Sequence, residues 1–206
     1  MGKNRVNALS FSENNRNFAS CANDTCIRYY DIQDSSNGCA IEIGSAHSDN
    51  IKKVQIISEN TILSASADKQ IKLWDLRSTS KAVCSFKVEN SIEDYCLLPN
   101  SKIVIAQGNT LTLAKLANDT IRRLNDFYPF QKPCLKVRYD KTRERVIAGG
   151  LDSQLKFFQL TGSDEDQLTV AYKIKVPSEI VAFDVSPDGN HFSLGLNDSS
   201  LIIRSK

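Results

Sequence analysis

A chain of 206 residues with 41% hydrophobic and 24% charged side chains can bury a core and is too apolar to remain disordered. A net charge of +2 argues against a nucleic-acid surface spread over the whole fold and leaves room only for a local basic patch. No run approaches the ~18 apolar residues of a membrane-spanning helix. Residues 1–12 carry no apolar stretch of signal-peptide length, and Val6 stands where acylation at Gly2 would want Ser or Thr. The six cysteines, Cys21, Cys26, Cys39, Cys84, Cys96 and Cys134, form no C-x-x-C pair. They read as small apolar residues in a reducing compartment.

The predicted elements are all strands. Residues 6–11, 18–21, 26–32 and 39–43 form a first group of four, with a polar loop at 34–38. Residues 51–57, 62–67, 71–76 and 82–88 form a second. A third is 92–98, 102–106, 111–116 and 120–124, with Gly108-Asn109 as its hairpin signal. The fourth is 135–139, 145–148, 154–160 and 168–176, with an acidic loop at 162–166. The fifth has only three strands, 180–186, 192–194 and 201–204. No stretch holds a helical period for more than two turns.

These groups are copies of one unit. A turn acid recurs at Asp24, Asp68, Asp152 and Asp198, with Asn109 in the remaining place; the spacings are 44, 41, 43 and 46 residues. Six residues beyond each lies a strand end: Tyr30, Trp74, Lys115, Phe158 and Arg204. Residues 61–77, TILSASADKQIKLWDLR, carry the fullest copy: strand, Asp-containing turn, strand, Trp-Asp. This resembles the WD repeat, the unit of a β-propeller blade, whose period is roughly 40–45 residues. The expectation is an all-β WD-repeat propeller over 1–206, with repeats at about 5–44, 45–89, 90–126, 127–177 and 178–206. The last repeat is incomplete.

The WD resemblance places His47, Ser64, Asp68 and Trp74 in a structural hydrogen-bond chain. Asp68 needs donors when buried, one imidazole N–H can supply one, and Ser64 can relay from the other ring nitrogen to the indole N–H. A His-Ser-Asp set also suggests a hydrolase, but Ser64 sits mid-strand and no Gly-x-Ser-x-Gly elbow exists. His191 reads as a surface or internally satisfied histidine. Two histidines without paired cysteines argue against a metal site, and no phosphate-binding glycine motif occurs. The chain reads as a non-enzyme without cofactor, metal or small-molecule substrate.

Four passages carry a finer resemblance: 86–100 (FKVENSIEDYCLLPN), 106–109 (AQGN), 148–158 (AGGLDSQLKFF) and 193–204 (SLGLNDSSLIIR). In this order they resemble the family of the fifteenth U3-small-nucleolar-RNA-associated protein of the small-subunit processome. The resemblance spans about residues 6–206. It implies a nuclear, nucleolar scaffold assembling on pre-ribosomal RNA with the U3 ribonucleoprotein and other WD-repeat subunits, for small-subunit rRNA processing, and a link to transcription of ribosomal DNA. That family has a seven-bladed propeller followed by a helical domain. This chain corresponds to blades three to seven, as a fragment or a shortened protein.

Lys141, Arg143 and Arg145 lie on one connecting loop and are candidate RNA contacts, with a solvated loop as the alternative. Arg122 and Arg123 are adjacent in a fourth strand. Tyr128, Phe130 and Lys132, in the long loop before the fourth copy, are candidate partner contacts or loop packing. Ser48, Asn50, Lys69, Asn90, Gln107, Lys132 and Gln154 are expected on one propeller face. Trp74-Asp75-Leu76-Arg77 also has the Trp-Asp-x-Arg form linked to docking on the adaptor of cullin-type ubiquitin ligases. A substrate receptor or another protein-interaction module is therefore the alternative reading.

Overall fold

The computed structural model describes residues 5–33, 38–162 and 166–205; Gly2 and most of the polar and acidic loops near 34–38 and 162–166 lie outside them. The described residues hold nineteen strands and no helix.

The strands form five antiparallel sheets, each in simple sequence order. Sheet one is β1 (Val6–Phe11), β2 (Asn17–Ala22), β3 (Ile27–Asp31) and β4 (Ile41–Ile43). Sheet two is β5 (Ile51–Ser58), β6 (Thr61–Ser66), β7 (Gln70–Asp75) and β8 (Cys84–Lys87). Sheet three is β9 (Ile92–Leu98), β10 (Lys102–Gln107), β11 (Thr110–Ala117) and β12 (Thr120–Phe127). Sheet four is β13 (Cys134–Asp140), β14 (Arg145–Gly150), β15 (Gln154–Thr161) and β16 (Gln167–Lys175). Sheet five has three strands, β17 (Ile180–Val185), β18 (His191–Leu196) and β19 (Leu201–Ser205).

The turn acids set the tight turn between second and third strands. Each aspartate accepts the N–H two residues on: Cys26 to Asp24, Gln70 to Asp68, Gln154 to Asp152 and Ser200 to Asp198, at 3.0 to 3.2 Å. The residue between takes positive φ: Thr25, Lys69, Ser153 and Ser199. A short side chain that closes such a turn on its own backbone explains why aspartate recurs there. Sheet three departs from the pattern, with Gly108 holding the positive φ of a two-residue loop between Gln107 and Thr110.

Two compact units are present. The first, Met1–Ile92 with Asn118–Ile121, buries Ala19, Cys21 and Ile27 of sheet one against Ile51, Val54, Ile62 and Trp74 of sheet two. The second, Glu93–Ala117 with Arg122–Lys206, includes two clusters among its described residues. One joins sheets three and four through Val104, Leu113, Val137, Val146 and Phe158. The other joins sheets four and five through Ile147, Phe157, Phe183 and Leu194. Fully burying one such side chain stabilises by about 1.5–3 kcal/mol, so these faces hold each unit together. All six cysteines are unpaired, and burial pushes the Cys21 thiol up to about 12, where it is inert at neutral pH.

Candidate functional site

Sheet two brings His47, Ser64, Asp68 and Trp74 together. The segment before β5 delivers His47, the middle of β6 carries Ser64, the β6–β7 turn carries Asp68, and β7 carries Trp74. His47 Nδ1 lies 2.8 Å from Asp68 Oδ2, and its Nε2 lies 2.8 Å from Ser64 Oγ. The Trp74 indole N–H donates to Ser64 Oγ at 2.9 Å. Asp68 can only accept, so Nδ1 carries the proton; Nε2 then accepts the Ser64 hydroxyl proton. Burial holds the His47 imidazolium below its ordinary pKa, and nearby Lys72 adds to this against the pull of Asp68. Burial alone would raise Asp68, but N–H donation from Ser48, the His47 contact and the Gln70 N–H together hold it below the usual carboxylate value.

This geometry is structural and not hydrolytic. The Ser64 oxygen is fully buried and its lone pairs face an indole N–H. A nucleophile needs an accessible oxygen facing an electrophile.

Sheet four builds a different version with residues the sequence reading missed. Lys156 Nζ donates to Asp152 Oδ2 and to the Pro129 carbonyl, both at 2.6 Å, and sits 4.2 Å from the centre of the Phe130 ring. In sheet two, Lys72 Nζ donates to the Ala46 carbonyl at 2.8 Å. Ala46 and Pro129 each precede the first strand of their sheet by five residues, so the two carbonyls are equivalent. Phe130 therefore stands where His47 stands. Without a histidine, the lysine takes over the turn aspartate. Sheet one repeats this, with Arg28 on Asp24 at 2.8 Å. The signal was present in the sequence: a base four residues after the turn acid at Arg28, Lys72 and Lys156.

That equivalence decides between the two readings of Phe130, partner contact and loop packing, in favour of packing. Phe130 is only 3% exposed, in the core shared by sheets three and four, and is no surface anchor. Tyr128, two residues earlier, is 73% exposed, and Lys132 pairs with Glu179 at 3.3 Å. Gln107 is likewise buried, donating to Thr112 Oγ1 at 2.8 Å, so it contributes nothing to an exposed face.

The basic loop divides. Lys141 is exposed. Arg143 binds the Gly189 carbonyl and, at 3.3 Å, Asn190 Oδ1. Arg145 pairs with buried Asp140 at 3.0 Å and lies 4.7 Å over the Phe157 ring. Arg143 and Arg145 are thus joined to protein groups, and Lys141 alone of the three projects freely.

A second unforeseen feature runs across first strands. Asp94 of β9 accepts from the Arg138 guanidinium at 2.8 Å, and Arg138 of β13 donates to Asp184 of β17 at 3.1 Å. Burial would lower the Arg138 pKa, but the two carboxylates outweigh it and raise it. Among the described residues no group of three or more His, Cys, Asp or Glu is placed to hold a metal ion.

Residues 2–31 and 39–75 match the WD40 family model, described as WD domain, G-beta repeat. The fold is a WD-repeat β-propeller. The chain is similar to the serine-threonine kinase receptor-associated protein of Gallus gallus, 27% identical over 203 residues, 97% of this chain and 54% of that protein. It is also similar to the WD repeat-containing protein 55 homolog of Drosophila ananassae, 26% identical over 117 residues, 57% of this chain and 22% of that protein. The WD40 β-propeller domain of Doa1 superposes with a TM-score of 0.77 at 18% identity, over 96% of this chain and 62% of that one. A chain of the mitotic checkpoint complex superposes with a TM-score of 0.84 at 16% identity, over 98% and 62%. At such identities the structural likeness is one of fold. The chain spans about half the length of the curated relatives it matches over nearly all its extent. The family model covers residues 2–31 and 39–75, and across the rest of the chain the likeness is one of fold.

Proposed function

We propose that the chain is a protein-interaction scaffold that serves small-subunit ribosome assembly, in the nucleolus, as a non-catalytic member of the processome on pre-ribosomal RNA beside other WD-repeat subunits. The observation that supports this is the ordered set of four passages between residues 86 and 204. They fall on β9 with its flanks, the β10–β11 turn, β14–β15 and β18–β19. Most of their apolar residues are buried, including Ile92, Tyr95, Leu98, Ala148, Leu155 and Phe158. The resemblance therefore speaks to the kind of blade, and this reading assigns its assembly contacts to exposed loops. RNA contact, if the loop after β13 provides it, falls to Lys141.

Affinity capture of the tagged natural protein from its own cells tests the reading. Processome subunits and U3 RNA should co-purify and survive moderate salt. Their absence overturns it. A second reading, a receptor on a cullin-type ligase, is supported by Arg77, whose exposed guanidinium is held on Asp75 at 2.7 Å. It requires a cullin adaptor in the same capture, lost on Arg77→Ala.

A further inference from the structure

The first unit holds a cleft of about 300 Å³ between the β1–β2 turn and the end of β5. Its lining has two parts. Ile56 and Ile57 give an apolar floor, and Glu13 and Glu59 stand at the rim with Ser12, Asn14 and Ser58. Both glutamates are exposed.

The floor is built by a local departure from strand geometry. Successive residues of a strand face opposite sides, so Ile56 and Ile57 should not line one cleft. The β5–β6 pairing slips between Ile56 and Ser58, leaving Ile57 as the extra residue of a bulge. Bulges re-aim side chains, and they recur next to functional sites. The first strands of sheets one, two, four and five all slip near their beginnings. Among these four, only β5 slips again at its end.

The rim is held in place as well. Ser12 Oγ donates to Asn14 Oδ1 at 2.7 Å, which presents Glu13 at the tip of its turn. Ser10 Oγ accepts the Ile56 N–H at 3.1 Å and ties the two walls together. The adjacent cation, Arg16, is turned onto Asp31 at 3.2 Å and leaves the rim acidic.

We propose that this cleft docks a short segment of a partner protein, an aliphatic side chain flanked by lysine or arginine. The apolar floor takes the aliphatic group, and Glu13 and Glu59 take the flanking cations. The acidic rim repels phosphate, so nucleic acid is excluded here. The site stands independently of the processome reading, because it concerns a peptide and not the assembly that carries it.

The probe is a fluorescent peptide, acetyl-Gly-Arg-Leu-Lys-Gly-amide, titrated against the chain by anisotropy. Two control peptides replace the flanking bases by Glu or the Leu by Gly. Binding should favour the first peptide by at least about tenfold over both controls and weaken as salt rises from about 50 to 500 mM. Glu13→Lys with Glu59→Lys should invert the preference between basic and acidic flanks, and Ile57→Asp should abolish binding of the aliphatic peptide. All three positions are at least partly exposed, and an unchanged melting curve shows that the variants fold. Equal binding of basic and acidic peptides, or unaltered preference in the double variant, overturns the proposal.

Discussion

His47 and Lys156 occupy the same structural problem with different chemistry. Each supplies a proton to a turn aspartate whose side chain is nearly buried. They differ in what remains if the donor is removed. Asp68 keeps the N–H groups of Ser48 and Gln70, whereas Asp152 keeps that of Gln154. Leaving a buried charge under-satisfied costs up to about 3–5 kcal/mol, so His47→Gln should cost about 2 kcal/mol and Lys156→Met about 3. Chemical denaturation measures both. Adding Asp152→Asn to Lys156→Met should recover much of the second loss, because the stranded charge goes with its partner. Acid gives a separate readout. The folded His47 sits below its ordinary 6.5, so as pH falls through 6.5 the unfolded chain binds the extra proton and stability declines toward the folded pKa. Asp68, held below 3.8, adds a further loss as pH falls past that value toward its own folded pKa. Melting temperatures recorded from about pH 7.5 to 5 should fall less steeply in His47→Gln than in the natural chain.

Strands make the next level, and most were legible. Alternating residues such as those of β1 and β7, and the Asx turns at Asp24, Asp68, Asp152 and Asp198, are local signals that a reader of the sequence can follow. The hydrogen-bond chain was legible through the resemblance to the WD repeat, which assigns its four members to one copy. What stayed hidden depends on neighbours. Phe130 reads as a loop aromatic, packed or partner-facing, until its equivalence to His47 is seen. Arg138 gives no hint that it reaches carboxylates on the sheets to either side. The bulge at Ile57 leaves the apolar pattern of β5 unchanged. Glycine shows the same contrast. The strand expected at 145–148 runs on in the structure, and Gly149 and Gly150 both belong to β14. A Cβ at Gly150 would lie 2.1 Å from the Pro133 carbonyl oxygen and 2.7 Å from Cys134 Cα, both backbone atoms at the paired start of β13. A Cβ at Gly195 would meet nothing nearer than 3.8 Å. Gly150→Ala should therefore cost about 3 kcal/mol or more, and Gly195→Ala less than about 0.5. Comparable melting curves for the two variants would refute that account of β14.

At the scale of the molecule, the question is what the sheets leave uncovered. In sheet five, one face carries Phe183, Leu194 and Ile202 into the core with Phe157. The register of β18 with β19 sets Leu201 across from Gly195 and Ile203 across from Ser193 on the opposite face. There Leu201 is 67% and Ile203 68% exposed, beside small residues that shield neither. In sheet one, Phe11, Phe18 and Tyr30 make a comparable aromatic row, with Phe18 stacked on Tyr30 at 4.6 Å and Phe11 well exposed. Apolar rows of this kind favour association in water because burial gains about 25 cal/mol per Å². The chain alone should therefore self-associate with rising concentration, read by light scattering during gel filtration. Leu201→Thr with Ile203→Lys should shift it toward monomer. The melting temperature should barely move, since both side chains already face solvent and Thr keeps the strand preference of a β-branched residue. Were the double variant instead to melt far lower, Leu201 and Ile203 would be supporting the sheet itself. Were association unchanged, the aromatic row of β1–β3 would be its source, and Phe11→Lys is the variant that should then abolish it.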